Sequence, residues 1–150
     1  MPVQMELSRI LIREMADIQI IELSEIGGER TFPIVIGLPE AFAIERRLKG
    51  IEIPRPQTHD LLASTIKFLG AQLQDIHIND LNDGTFFAQI RLKHEGEIVE
   101  IDSRPSDAIA LGVSEGVPIY VAEHVLDQIE AEKGEEPPFE IDIDEDEGDW

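Results

Sequence analysis

The sequence predicts one α+β domain with a mixed, mostly antiparallel sheet and about four helices. Its 150 residues, 42% of them hydrophobic, are enough to bury a core of ordinary size. Several runs alternate apolar and polar residues and are bounded by turn signals, which is typical of strands. Between them lie segments whose apolar residues recur at helical spacing, and this mixed order is typical of the α+β class.

The N-terminal part of the chain predicts two strands. Apolar residues alternate over residues 3–13 and again over residues 17–24. The phase of the alternation slips near Ser8 and near Ile21, so we expect a bulge at each of these positions.

A third strand and a first helix follow. Gly27-Gly28 predicts a turn into the β-branched run at residues 31–36, where Pro33 indicates a strand start or an edge position. Residues 38–45 have a proline near their start and the apolar spacing of a helix, which is expected to end near Gly50.

The next segment predicts an extended connector and a second helix. Residues 51–57 contain two prolines and are therefore expected to be extended. Thr58 is the predicted N-cap of the helix, Asp60 lies in its first turn, and Gly70 ends it.

The central strands are predicted from alternation and from one strong turn signal. Asn82-Asp83-Gly84-Thr85 is typical of a hairpin. Strands are expected around it at residues 76–79, 86–92 and 98–101, with one side of residues 86–92 facing the core and the other partly wet.

The C-terminal part predicts a helix at 105–115, a short strand at 117–121 and a closing helix at 122–132. Residues 134–150 hold nine Asp and Glu and no Lys or Arg, so we expect a disordered acidic tail after a domain at residues 1–133. A solubilising role is the simplest for this tail, and the alternatives are repulsion of polyanions and regulation by an attached acidic peptide.

Composition limits the class of function. The net charge is −20, of which −11 belongs to residues 1–133, so a nucleic acid would have to bind through local arginines or bound cations. The chain has no cysteine, which excludes disulfides and thiolate metal sites. It shows no signal peptide and no membrane span, so we expect a cytoplasmic protein with no membrane partner.

One junction concentrates charged groups. An alternating strand pattern ends at Ile101, and Pro105 suits the first turn of a helix. Asp102, Arg104 and Asp107 should therefore cluster where a strand ends and a helix begins. Free N–H groups and the helix dipole make such a place suitable for a phosphate, a carboxylate or a metal-bound anion.

The same order of residues occurs about fifty positions earlier. Arg55-Pro56-Gln57-Thr58-His59-Asp60 also places Arg-Pro, a hydroxyl and an aspartate at a helix start. If the two starts face each other, their acids and imidazole would suit Mg²⁺ or Mn²⁺, and their arginines and hydroxyls would bind substrate phosphate. The predicted catalytic residues are Asp60, Asp102, Asp107 and His59; the predicted metal ligands are Asp60, Asp102 and Asp107; the predicted substrate-binding residues are Arg55, Arg104, Thr58 and Ser106.

A structural interpretation competes with this one. Asp in a first turn commonly stabilises the helix end, and adjacent Asp and Arg commonly pair. From the residues alone, two independently capped helices are favoured about two to one.

Four motifs together resemble the bifunctional nuclease domain family over roughly residues 3–130. They are the segments 55–62, 69–71, 83–88 and 101–111, in that order and spacing. The resemblance implies a compact α+β domain that is often a homo-oligomer, and a nuclease activity on DNA and RNA in some plant members. It carries no catalytic residues over to this chain.

Two functions remain open. The first is a nuclease that hydrolyses phosphodiester bonds of DNA or RNA with a divalent metal. The alternative is a non-enzymatic binding or assembly module with a regulatory role, in which the same motifs fasten helices to the sheet.

Overall fold

The computed structural model describes residues 1–133; the predicted tail at 134–150 lies outside the described residues. The elements are β1 Val3–Leu11, β2 Gln19–Glu25, β3 Thr31–Ile36, α1 Leu38–Lys49, α2 Thr58–Phe68, β4 Gln72–Asn82, β5 Thr85–His94, β6 Glu97–Ser103, α3 Pro105–Glu115, β7 Ile119–Val121 and α4 Glu123–Glu132. None of these four helices is long and apolar enough to cross a membrane.

The seven strands form one mixed sheet in the order β3-β2-β1-β7-β4-β5-β6. Neighbouring strands are antiparallel except β4 and β7, which are parallel. The α+β class with a mostly antiparallel sheet is confirmed. The short β7 lies between two antiparallel groups of strands, β1 to β3 from the N-terminal part of the chain and β4 to β6 from the part after α2.

The strand details follow the local signals closely, with one exception. The register of β1 against β2 shifts between Leu7 and Arg9, which confirms the bulge at Ser8. The expected bulge near Ile21 is wrong, because β2 and β3 pair without a shift. Ile20 and Ile21 are both buried, and Gln19 beside them donates hydrogen bonds to carbonyls of the β1–β2 loop, so both faces of β2 are covered there.

Two turn and edge predictions are also confirmed. Pro33 lies on β3, an edge strand, where its missing N–H interrupts no inner pairing. Asp83 and Gly84 both have positive φ, as the tight turn between β4 and β5 requires.

Helix α3 is the centre of the helical layer. It packs against β4 and β5 and is flanked by α1 and α2. Gly112 allows this approach, since a Cβ there would lie 2.9 Å from Ile76 Cγ1 on β4. This packing fixes the starts of the three helices relative to one another.

The start of α2 differs by one residue from the prediction. Gln57, and not Thr58, is the N-cap, and the Gln57 N–H donates to Asp60 Oδ2 over 2.9 Å. Gln57 has extended backbone angles and its carbonyl already accepts the N–H of Leu61, whereas Thr58 is helical; Asp60, at the third helical position, reaches back to the N–H of Gln57 as in a capping box.

Candidate functional site

The starts of α2 and α3 meet. His59, the second residue of α2, places its Nε2 2.9 Å from Oδ1 of Asp107, the third residue of α3. The two residues are 48 positions apart in sequence, so this contact depends on both helices packing at the same end of the sheet.

Asp107 also binds the arginine at the start of its own helix. Arg104 donates from Nε to Oδ2 over 2.9 Å and from Nη2 to Oδ1 over 3.1 Å. Burial raises the pKa of the Asp107 carboxyl, but the hydrogen bonds and charges of Arg104 and His59 outweigh it and leave the pKa below its ordinary value. Asp107 is therefore a carboxylate at neutral pH.

Asp60 and Asp107 occupy equivalent helix positions but have different partners. Each is the third residue of its helix. Asp60 caps α2 and also accepts bonds from Arg46 Nη2, over 2.7 Å, and from Arg47 Nη1. These bonds, together with the Gln57 N–H, leave the pKa of Asp60 below its ordinary value although burial alone raises it. Asp107 caps no N–H, so its oxygens are available to His59 and Arg104.

The His59–Asp107 pair lies on a cavity of about 580 Å³ between α2, the end of β6 and the start of α3, which we call the His59 cavity. Its polar lining consists of Thr58, His59, Asp102, Ser103, Arg104 and Asp107. Its apolar lining consists of Leu62, Ile66, Ile90 and Ile101. A cavity with an apolar wall and several convergent polar groups is typical of a ligand site.

Three of the predicted residues lie elsewhere. The carboxylate of Asp60 is turned toward α1. Arg55 is exposed on the connector before α2 and makes no hydrogen bond or ion pair with any residue in 1–133. Ser106 is buried and lines a second cavity, which shares Arg104 with the His59 cavity.

The predicted three-aspartate metal set is not assembled as one cluster. Within residues 1–133 there is no group of three or more His, Asp or Glu side chains placed to hold one metal ion. Arginines bind both oxygens of Asp60, and Arg104 binds both oxygens of Asp107, so neither carboxylate can ligate a metal ion without giving up an arginine. Asp102 and Asp107 do share the His59 cavity, and their metal role stays a prediction.

Sequence reasoning missed the arginines that hold Asp60. Arg47 is buried, donates from Nε to the Ala110 carbonyl over 2.7 Å, and donates from Nη2 to Ser114. Its position three residues after Ile44 on the buried side of α1 was the available signal. Glu40 was also missed; it accepts a bond from Arg104 Nη1 over 3.1 Å.

The fold and this cavity define a single α+β domain in which paired helix starts bring an imidazole, a carboxylate and a guanidinium together. The chain belongs to the bifunctional nuclease domain family, whose model matches residues 21–134. The resemblance found in the sequence motifs is thereby confirmed.

Curated relatives match the same part of the chain. An uncharacterized protein of Mycobacterium tuberculosis (strain ATCC 25618 / H37Rv) is 44% identical over 106 residues, which are 71% of this chain and 63% of that protein. Bifunctional nuclease 2 of Oryza sativa subsp. japonica is 28% identical over 100 residues, covering 65% of this chain and 31% of that protein. Bifunctional nuclease 1 of Arabidopsis thaliana is 25% identical over 104 residues, which are 67% of this chain and 32% of that protein. The chain thus spans less than two thirds of the mycobacterial relative and about a third of the plant ones.

Proposed function

We propose that this protein is a nuclease that hydrolyses phosphodiester bonds of DNA or RNA in the His59 cavity. The observation that carries the proposal is the 2.9 Å contact between His59 and Asp107 on a cavity that Arg104 also lines. Membership of the bifunctional nuclease domain family and the names of the plant relatives support the same activity.

His59 would be the general base. The ionised Asp107 accepts the Nε2–H of the imidazole, which leaves a lone pair on Nδ1 and holds the ring in place. Nδ1 then takes a proton from a water whose oxygen bonds to phosphorus. The bond from phosphorus to the leaving sugar oxygen breaks, and that oxygen takes a proton from solvent.

Arg104 would bind the phosphate. The guanidinium donates hydrogen bonds to Asp107 and Glu40, and these bonds raise the pKa of Arg104 above its ordinary value. The side chain is nevertheless 62% exposed, so a phosphate oxygen can reach its Nη groups. A planar guanidinium matches phosphate geometry, and its charge offsets the charge that develops during hydrolysis.

Asp102, which is exposed on the same cavity, would be the first ligand of Mg²⁺ or Mn²⁺, and Asp107 would join it by giving up a bond to Arg104. Mg²⁺ is commonly bound by one or two carboxylates together with substrate phosphates, so two protein ligands are sufficient. Such an ion supplies neutralisation of phosphate charge when bound. The bound cation would also offset part of the net negative charge of residues 1–133, which otherwise repels a nucleic acid.

Cleavage assays test the proposal. The full chain is incubated with end-labelled single- and double-stranded DNA and RNA, with Mg²⁺, with Mn²⁺ and with a chelator. We expect cation-dependent cleavage by the wild type and its loss in His59→Gln. His124→Gln is the matched control, because His124 also faces an aspartate, Asp80, at 3.5 Å but on the surface. Equal cleavage by the wild type and His59→Gln would mean a contaminating nuclease and would refute the proposal.

A second candidate function is that of a non-enzymatic assembly module. The ion pairs between motif residues and α1 favour it. Asp60 ties α2 to α1, and Arg104 ties α3 to Glu40 of α1, as a structural role requires. No residue of α2 is buried within residues 1–133, and Leu61, Phe68 and Leu69 are largely exposed. Exposed apolar groups of this kind are typical of protein interfaces, so we include a homo-oligomer in this proposal. Light scattering of the full chain measures its mass; a monomer at all concentrations would count against assembly.

A further inference from the structure

A second cavity of about 450 Å³ shares Arg104 with the His59 cavity and is otherwise lined by different residues. It is enclosed by β3, by the turn between β4 and β5, and by the starts of α1 and α3. We call it the Ser106 cavity. Apart from Arg104 and its partner Glu40, the mechanism proposed above uses none of its lining residues.

Two helix N-termini open into the Ser106 cavity. Gly37 is the N-cap of α1 and Arg104 is the N-cap of α3, and both line the cavity. Neither helix start receives a side-chain capping bond. The free N–H groups and the positive ends of both dipoles therefore favour a negative charge at this place.

Ser106 is an independent sign of a ligand. The residue is 6% exposed and lines the cavity. Its hydroxyl has no hydrogen-bond partner within residues 1–133, although Oγ is not sealed off from the cavity space. The side chain is thus more than nine-tenths buried, and a hydrogen bond from its hydroxyl to a group outside the protein has to be made inside the cavity. A ligand oxygen would supply the missing bond.

The protein already places one anion at this position. The Glu40 carboxylate pairs with Arg104 Nη1, and its Oε2 lies over the start of α1, only 2.4 Å from where a Cβ on Gly37 would be. Arg104 and the start of α1 thus stabilise a carboxylate whose side chain is 24% exposed and can turn outward. An entering anion would replace Glu40 and would be opposed by its charge.

Part of the lining of the Ser106 cavity is apolar and aromatic. Phe86 lines it and stacks on Phe32 at a centroid distance of 5.5 Å, which fixes the orientation of its ring. Ile34 and Ile36 of β3 complete this part of the lining. A flat apolar group next to an anion fits such a cavity, and nucleobases stack well on aromatic side chains.

We propose that the Ser106 cavity binds a nucleoside monophosphate unit. Its phosphate accepts bonds from the Ser106 hydroxyl, from Arg104 and from the free N–H groups of α1 and α3, and its base lies against Phe86. The site goes beyond the proposed hydrolysis, because binding here requires no cleavage and is measured separately from it.

Titration of the ¹⁵N-labelled full chain with AMP, adenosine and inorganic phosphate tests the proposal. We expect AMP to shift the amides of Gly37 and Ser106 and to bind at least about tenfold more tightly than either fragment. A short oligoadenylate distinguishes the source of the unit: tighter binding than AMP indicates a strand, and weaker binding indicates a free nucleotide. No shift at these amides with any of these probes would overturn the proposal.

Variants locate the phosphate and the base. Ser106→Ala should weaken AMP binding by about tenfold, whereas Ser64→Ala, which removes an exposed hydroxyl of α2, should not. Glu40→Gln should tighten binding of both AMP and phosphate, because the competing charge is removed. Phe86→Leu should weaken AMP several-fold and leave phosphate unchanged. Wild-type AMP affinity in a folded Ser106→Ala protein would refute the assignment.

Discussion

His59 Nε2 lies 2.9 Å from Asp107 Oδ1, across 48 residues of chain, whereas Asp60, the neighbour of His59, points away to two arginines of α1. One of two aspartates at equivalent helix positions is thus available on the His59 cavity, and the other is used to hold helices together. This difference separates the residues expected to matter for activity from those expected to matter for stability.

Asp107→Asn should affect activity more than folding. The substitution keeps the shape of the side chain but removes the charge that orients and supports the His59 imidazole. We expect the cleavage rate to fall by about 10²–10⁴-fold, as for loss of a general base or its orienting group. Single-turnover cleavage measures it, with His124→Gln as the control. A wild-type rate in Asp107→Asn would contradict the role of the pair.

Asp60→Ala should affect stability strongly. It leaves the buried Arg47 without its carboxylate partner and uncaps the start of α2. Removing one member of such a pair costs about 3 kcal/mol of unfolding free energy. Urea denaturation measures the loss. Asp102→Ala is the matched control, since Asp102 is exposed, and it should change stability by less than about 0.5 kcal/mol.

The pH dependence of stability should report the lowered pKa of Asp107. A carboxyl whose pKa is lower in the folded than in the unfolded state stabilises the fold above its unfolded pKa. That contribution is lost as the pH falls below the ordinary value of 3.8 and through the lowered one. We therefore expect the stability difference between wild type and Asp107→Asn to shrink from neutral pH to about pH 3. A difference that stays constant across this range would show that the pKa is not lowered.

The Mg²⁺ concentration that cleavage requires should depend on Asp102. Since arginines hold both Asp60 and Asp107, the proposed ion depends first on the exposed Asp102. Asp102→Asn should raise the Mg²⁺ concentration needed for half-maximal cleavage by about tenfold while the melting temperature stays near that of the wild type. An unchanged Mg²⁺ requirement would remove Asp102 from the proposed metal site.

Gly112→Ala should strain the contact between α3 and β4. The new methyl group would lie 2.9 Å from Ile76 Cγ1 in a fully buried region. Overpacking of this kind costs about 1–3 kcal/mol, against which the better helix propensity of Ala restores up to about 1 kcal/mol. Denaturation of Gly112→Ala, Ile76→Ala and the double variant measures the coupling. Purely additive losses would mean that the two side chains do not compete for space.

Several features of the fold are fixed by neighbouring residues and were predictable. Pro105 begins α3, Pro33 lies on an edge strand, and Asp83-Gly84 forms a tight turn. Each depends on backbone angles and on alternation within a few positions. The wrong prediction of a bulge near Ile21 also came from a local pattern. Two consecutive apolar residues looked like a slip in the alternation, because the sequence alone does not show that both faces of β2 are covered.

The site was only partly predictable for a related reason. The two Arg-Pro helix starts were identified from their residues, but their meeting was one of two alternatives. Asp60 and Asp107 are equivalent in local sequence, and Arg46, Arg47 and Glu40 on α1 decide their partners. Sequence spacing does not show that these α1 residues will lie next to Asp60 and Asp107, so the partners could not be predicted.

By itself, then, the sequence determined the order of strands and helices, the tight turns and the family, because each is encoded in short-range backbone preference or in contiguous motifs. Only the tertiary structure decided that β7 lies between β1 and β4, that His59 faces Asp107, and that Ser106 faces a different cavity from His59. Those facts depend on side chains that are distant in sequence and become neighbours only when α1, α2 and α3 pack together.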